Sequence, residues 1–146
     1  MRIKFAFFLT FLCFLLSCGK SPYENNIPYK RIEFQVFPTI DFGGQLTAPG
    51  GLVIAPCNHR GESCGYQNHG TIICKMLASD AYAAYAATCP IDLTKLQIVN
   101  NAILKVKCTK CNRVYELDND GFSGKARLLK YHIQTSITDQ VFTVRY

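Results

Sequence analysis

The chain has 146 residues, 49% of them hydrophobic and 18% charged, with eight cysteines and a formal net charge of +6. That length suits one domain with a single buried core. Its basic residues are scattered rather than gathered in a run, which argues against nucleic-acid binding.

The first 18 residues, "MRIKFAFFLTFLCFLLSC", carry Arg2 and Lys4 and then an unbroken apolar run over 5–16. This is the layout of a secretory signal, and the run is too short to cross a bilayer comfortably. Its end, "LLSC", resembles the bacterial lipobox: Leu15, the small Ser17 and Cys18 fit, and Leu16 is less usual at its place. The resemblance implies cleavage after residue 17, thioether lipidation of Cys18, and anchoring to a membrane by acyl chains of the palmitate class. Each buried methylene contributes about 0.8 kcal/mol to that anchoring. An ordinary secretory signal or a short membrane-anchoring helix is the alternative. Without residues 1–17 the chain keeps 14 basic and 10 acidic residues. The export signal places the protein in the cell envelope, facing outside the cytoplasm. Residues 18–29 are polar and contain two prolines, so they read as the lipidated cysteine and a tether. The folded domain is expected over 30–146.

Within it, "RIEFQVFPTI" alternates, with Ile32, Phe34 and Val36 on one face, and ends at Pro38. "DFGGQLTAPGG" is turn-rich. "LVIAP" and "TIICKML" read as strands around the polar loop "CNHRGESCGYQNHG". "DAYAAYAATCP" favours helix by its alanines, yet its place between strands and before Cys-Pro argues for a strand. "KLQIVNNAILKVKC" reads as a hairpin about Asn100-Asn101. "NRVYELDNDGF" reads as a strand and a turn at Asp120-Gly121. "RLLKYHIQT" and "QVFTVRY" read as closing strands. Eight or nine short strands and no clear helix make the class all-β, a sandwich or barrel.

Six cysteines follow Cys18, and in an exported protein disulfides are the default, with 15 pairings open. Cys57 and Cys64 in the polar loop suit a local disulfide; a small zinc site with His59 and His69 is the lesser alternative. His59, His69 and His132 otherwise read as surface residues, and Cys74 as a buried strand cysteine. Phe34, Phe37, Tyr82, Tyr85 and Tyr115 read as core, and Asp118 and Asp120 as turn residues. "TCPID" and "CTKC" differ from the rest. They set Cys89 and Asp92 three apart, then Cys108 and Cys111 three apart, each pair at a turn beside a strand, 19 positions between Cys89 and Cys108. Two such turns brought together offer three thiolates and a carboxylate, a set that zinc accepts tetrahedrally and iron accepts in a thiolate cage. A thioredoxin-like use of Cys108 and Cys111 is disfavoured, because those motifs open a helix and here a strand follows.

From "TCPIDL" to the end the chain resembles a Rieske-type domain, through "CTKC", "NRVYELDNDG", "SGKARLLKY" and "VFTV". The upstream "PGGLVI" and "GTIICKMLASDAYAAYAATCP" resemble the lipid-anchored Rieske-like proteins of bacteria. The resemblance implies a Rieske-like sandwich or barrel with a smaller metal-loop lobe over 86–118, and a strand at "DAYAAYAATC". It would make Cys89 and Cys108 cluster ligands, but the two histidine positions hold Ile91 and Cys111. An intact [2Fe–2S] centre, with two cysteines on one iron and two histidines on the other, is therefore not expected. Two main expectations remain: a single zinc or iron ion on Cys89, Asp92, Cys108 and Cys111 with a structural or electron-transfer role, or a metal-free, disulfide-held scaffold for a binding partner. A lesser alternative is a ferredoxin-like electron carrier whose [2Fe–2S] cluster recruits other ligands such as His59 or His69. The expected partners are the membrane, through the anchor, and a redox or binding protein of the envelope. No nucleophile–base pair is legible.

Overall fold

The computed structural model describes residues 25–136 and 140–146; the expected leader, Cys18 and the start of the tether lie outside them. The chain is all-β, a curled seven-stranded sheet with a smaller five-stranded sheet beside it. The strands are β1 (Glu33–Val36), β2 (Leu52–Ala55), β3 (Gly61–Glu62), β4 (Thr71–Lys75), β5 (Tyr82–Ala86) and β6 (Leu96–Ile98). They continue as β7 (Lys105–Cys108), β8 (Val114–Glu116), β9 (Phe122–Ser123), β10 (Ala126–Arg127), β11 (Lys130–Thr135) and β12 (Phe142–Arg145). The large sheet runs β2-β4-β5-β11-β12-β1-β3 and the small one β10-β9-β8-β7-β6, with every pairing antiparallel. Among the described residues no helix is long and apolar enough to cross a membrane.

The expected strands recur, with three differences. Among the described residues the strand count rises to twelve through the two-residue pieces β3, β9 and β10, which too few residues mark for any periodicity to show. "RLLKYHIQT" is broken at Leu128 and Leu129 between β10 and β11. The hairpin about Asn100-Asn101 has a longer connection, 99–104, in which Asn101 and Leu104 take positive φ; Ile103 stays exposed while Leu104 is buried.

The alanine-rich strand follows from where β4 and β5 lie. Ile72, Cys74, Ala83, Tyr85 and Ala87 pack toward the small sheet, together with Leu104, Val106, Tyr115, Leu117 and Leu128. The alternate residues Ile73, Ala84 and Ala86 pack on the other side with Phe34, Val36, Phe142 and Val144. Both strands are thus buried on both faces, and a doubly buried strand reads as a continuous apolar run rather than as an alternation. Within the sheet small residues lie beside larger ones across the β4–β5 pair: Ile73 pairs with Ala84, and Cys74 with Ala83. Burial overrides the helical propensity of alanine.

Tyr85 joins the two sheets. It is fully buried, and its hydroxyl donates to the Leu117 carbonyl at 3.3 Å. Burial raises its pKa. The expected turn at Asp120-Gly121 lies against its ring. Both turn residues take positive φ, and a Cβ at Gly121 would stand 3.1 Å from Tyr85 and from Leu128, so glycine is required there twice over. Asp120 does more than turn the chain, since its carboxylate holds Arg127 and, at 2.7 Å, Lys130.

A second tie closes the other end of the large sheet. Asp41 is 6% exposed. Its carboxylate accepts from the Phe37 amide at 2.8 Å and from Arg60 Nε at 3.0 Å, and His59 Nε2 lies 3.2 Å away. Burial pushes the Asp41 carboxyl up, but the Phe37 amide, Arg60 and His59 outweigh it and hold the group below its usual value. A carboxyl depressed in the folded state stabilises fully above the unfolded value, about 3.9, and loses that contribution as pH falls through the folded value. Asp41→Asn is therefore expected to cost about 2 kcal/mol at neutral pH, where charged hydrogen bonds are lost, and to flatten the acid side of a stability–pH curve measured in urea.

Candidate metal centre

Strand β5 leaves the large sheet through Ala87 and Thr88 and delivers Cys89 to the small one. Thr88 bridges Lys95, which closes a loop over 89–94. Within it the Cys89 amide donates to the Thr94 carbonyl at 2.8 Å, and the Leu93 amide donates back to the Cys89 carbonyl at 3.0 Å. The second loop leaves β7 at Cys108, whose amide donates to the Arg113 carbonyl at 2.9 Å. The two loops share one backbone plan. In each, the first cysteine's amide bonds the carbonyl five residues on, and the residue just after the second ligand is left-handed: Leu93 at φ 55° and Asn112 at φ 59°. Asparagine tolerates that region; leucine does not, at a cost of about 1–2 kcal/mol. The register Leu96 opposite Cys108 sets the bases of the loops side by side.

All four expected ligands meet there. One ligand atom from each of Cys89, Asp92, Cys108 and Cys111 lies within 4.8 Å of every other. Cys89 Sγ is 3.9 Å from Cys111 Sγ and 3.8 Å from Asp92 Oδ2, and Cys108 Sγ is 3.6 Å from the same oxygen. Around one tetrahedral zinc, with Zn–S near 2.3 Å and Zn–O near 2.1 Å, sulfurs stand about 3.8 Å apart and sulfur and oxygen about 3.6 Å apart. The group fits a single ion. A two-iron cluster fits less well, because its ligand pairs bind different irons and stand apart by the width of the cluster. Ile91, at the first histidine position of the resemblance, packs against the core instead.

The centre has an inner and an outer side. Cys89 and Cys108 are fully buried, whereas Asp92 and Cys111 are half-buried. The Tyr115 hydroxyl lies 3.3 Å from Cys89 Sγ, and Thr94 Oγ1 lies 3.1 Å from Cys108 Sγ. Burial raises the Cys108 thiol, but Thr94 and the backbone amides of Cys111 and Lys110 bring it below its usual value. Asp92 is lowered, first by the Cys111 thiol, with Cys108, Lys110 and Cys89 adding to it against desolvation. Cys111 is pushed up to about 12 by burial and by the Asp92 carboxylate. Tyr115 is raised by burial and by Cys89.

Tyr115 and Thr94 carry roles that the spacing of the ligands did not announce. Tyr115 reads as core, and it is buried, but it also holds a ligand sulfur. The available signal was an inward-facing tyrosine four residues after a C-x-x-C. Removing an outer hydrogen bond to a ligand weakens metal retention about 10- to 100-fold. If the group holds an ion, Tyr115→Phe is expected to fold normally and to yield that ion to a chelator more readily by that factor, as competition titration would measure.

Elsewhere the outcome is mixed. Cys74 is fully buried as expected, and burial lifts its thiol to about 12. His132 is exposed. His59 and His69 are not solvated loop residues. His59 stacks on Phe42 at 4.6 Å beside Asp41, and His69 Nδ1 bonds Thr88 Oγ1 at 3.0 Å with its pKa lowered by burial and by Lys95. Their rings do not join Cys57 and Cys64 in any metal-binding group among the described residues. Cys57 and Cys64 are free thiols in contact, and that contact, with burial, raises Cys57. No family model, no curated protein and no solved structure matches the chain.

Proposed function

We propose that this is a lipid-anchored envelope protein whose Rieske-like domain holds one zinc or iron ion through Cys89, Asp92, Cys108 and Cys111. The observation that carries this reading is that the four ligand atoms lie within 4.8 Å of one another, with three of their separations, 3.6, 3.8 and 3.9 Å, close to the edges of a tetrahedron about a single ion. The large sheet bearing a smaller one with two ligand loops at its edge supports the Rieske-like scaffold. Four protein ligands complete a tetrahedral shell and leave no position for substrate, which favours a structural or electron-carrying role over catalysis. Zinc would supply a structural cross-link; iron would supply one-electron chemistry.

Metal analysis with a visible spectrum on residues 19–146 tests this. The expected result is one ion per chain, colourless for zinc or red for iron, and its loss in Cys111→Ser. Two irons with inorganic sulfide would replace the single-ion reading with a [2Fe–2S] carrier. No metal and no titratable thiol would leave the second reading, a disulfide-held binding scaffold. The anchor rests on "LLSC" alone. Cys18→Ala is expected to move the protein out of the membrane fraction, and a variant that stays there overturns the lipobox reading.

A further inference from the structure

We infer that the end of the domain carrying Tyr29 and Tyr146 is a docking face for the lipid bilayer. The inference rests on the proposed lipid anchor at Cys18 and adds the face that this anchor turns toward the membrane. The chain enters the fold beside the first ligand loop. The Asn26 amide donates to the carbonyl of Pro90, the residue after Cys89, at 3.1 Å, and Ile27 packs against the core of the large sheet. Cys18 lies eight positions before Asn26. Eight residues reach about 28 Å when fully extended. A domain of this size has a radius of gyration of about 14 Å and is about 35 Å across. The tether is therefore shorter than the domain is wide. It cannot pass around the fold, so the surface opposite Asn26 cannot rest on the membrane that holds Cys18.

The surface near Asn26 carries the residues of an interfacial contact. Tyr29, three positions on, is 72% exposed, the most exposed large apolar side chain among the described residues. Its ring lies 5.3 Å from that of Tyr146, which lies 5.4 Å from that of Tyr131. Tyr131 is buried in the large-sheet core, so the two outer rings stand on a fixed base. The Tyr146 amide, which donates to the Ile32 carbonyl at 3.0 Å, holds that residue beside the entering chain. Lys30 and Arg31 follow Tyr29, and Arg145 precedes Tyr146; the two arginines share one carboxylate, Glu33. Tyrosine has an apolar body and a polar tip, and with Lys and Arg beside it settles at the headgroup level of a bilayer. A protein partner would use the same residue types. The tether decides for lipid, because it holds this end within about 28 Å of the bilayer. The exposed Ile98 and Ile103 lie elsewhere, at the 99–104 connection, the other end of the β6–β7 pair from the ligand loops. The loop over 89–94 shares the tethered end, so the proposed metal centre is held close to the membrane surface.

The chain has no tryptophan, so a single one introduced by substitution reports on its own surroundings. The test uses Tyr29→Trp in the lipidated full chain, reconstituted in vesicles of phosphatidylcholine brominated near the head of its acyl chains. The fluorescence is expected to shift to the blue and to be largely quenched by the bromines, while that of Ile103→Trp stays unshifted and unquenched. Tyr146→Trp repeats the measurement on the other ring should the first variant fail to fold. Vesicle-bound protein with no quenching at either tyrosine position overturns the docking face. Quenching of Ile103→Trp equal to that of Tyr29→Trp does so too. A blue shift without quenching that grows with the density of protein on the vesicle would assign the rings to a second copy, again against lipid. Flotation of the vesicles separates the two claims. Protein that floats but is unquenched at position 29 refutes the docking face alone. If Cys18→Ala floats as well as the native chain and is still quenched at position 29, the lipid anchor fails and the face stands. A chain that keeps Cys18 and does not float refutes both.

Discussion

Cys108→Ser is expected to empty the centre and to unfold the small sheet at temperatures the native protein withstands. Cys108 ends β7, is fully buried, and faces Leu96 across the strand pair, so its sulfur is both a proposed ligand and part of the core joining the sheets. Serine offers a hydroxyl that metals of this class bind poorly and that the apolar surroundings do not favour. Structural zinc sites contribute about 10–16 kcal/mol of apparent binding free energy, and the loss of one of three thiolates removes a large share of it. Metal content should fall below about one ion per ten chains, and the thermal midpoint should drop by at least about 10 °C, given about 2–8 °C per kcal/mol in domains of this size. Cys74→Ser is the matched control. Cys74 is equally buried in the same cluster but lies away from the centre, so it should lose stability and keep its metal. Stoichiometric metal in Cys108→Ser would refute the ligand assignment.

Tyr85→Ala carries the second large effect, this one on the fold. The ring lies against the Gly121 turn, in the same buried cluster as Leu128, and its hydroxyl is bonded to Leu117. Deleting a large buried aromatic side chain costs about 3–5 kcal/mol, against a total stability of about 5–15 kcal/mol for a domain of this kind. Tyr85→Phe removes only the hydrogen bond and should cost about 1 kcal/mol. Urea unfolding of both separates the cavity from the bond. Because the small sheet rests on this ring, the alanine variant should also release metal at lower urea than the native protein. Equal unfolding midpoints for the alanine and native proteins would show that Tyr85 does not join the layers.

Where the pattern repeated over several residues, the sequence announced the structure. Ile32, Phe34 and Val36 alternate and are all buried, and the spacing of Cys89, Asp92, Cys108 and Cys111 named a group that the fold assembles. What stayed hidden depends on long-range partners. Nothing near Ala83–Ala86 says that layers lie on both sides of it, so local propensity favoured helix and only its place between strands and the resemblance gave the strand that forms there. Asp41 has its partners at positions 59 and 60, and Tyr115 meets a sulfur 26 positions away. In such cases the residue type is visible in the sequence, but its use is set by what the fold brings beside it.

The matched closure of the two ligand loops bears on how a metal would enter and leave. In each loop the bond from the first cysteine's amide to the carbonyl five residues on runs through backbone alone, so the shape of the loop does not depend on its ligand atoms. Little chain entropy then remains to be lost on metal binding, and affinity would be set by the fit of the ion to a preset cage. Exchange would proceed from one side. Cys89 and Cys108 lie within the core, while Asp92, which offers a single carboxylate oxygen, and Cys111 are only half-buried. The carboxylate is the corner that a competing thiol or chelator would displace first, so it would act as the door of the cage, and the rate of metal loss should respond to changes at position 92 more than at any other ligand.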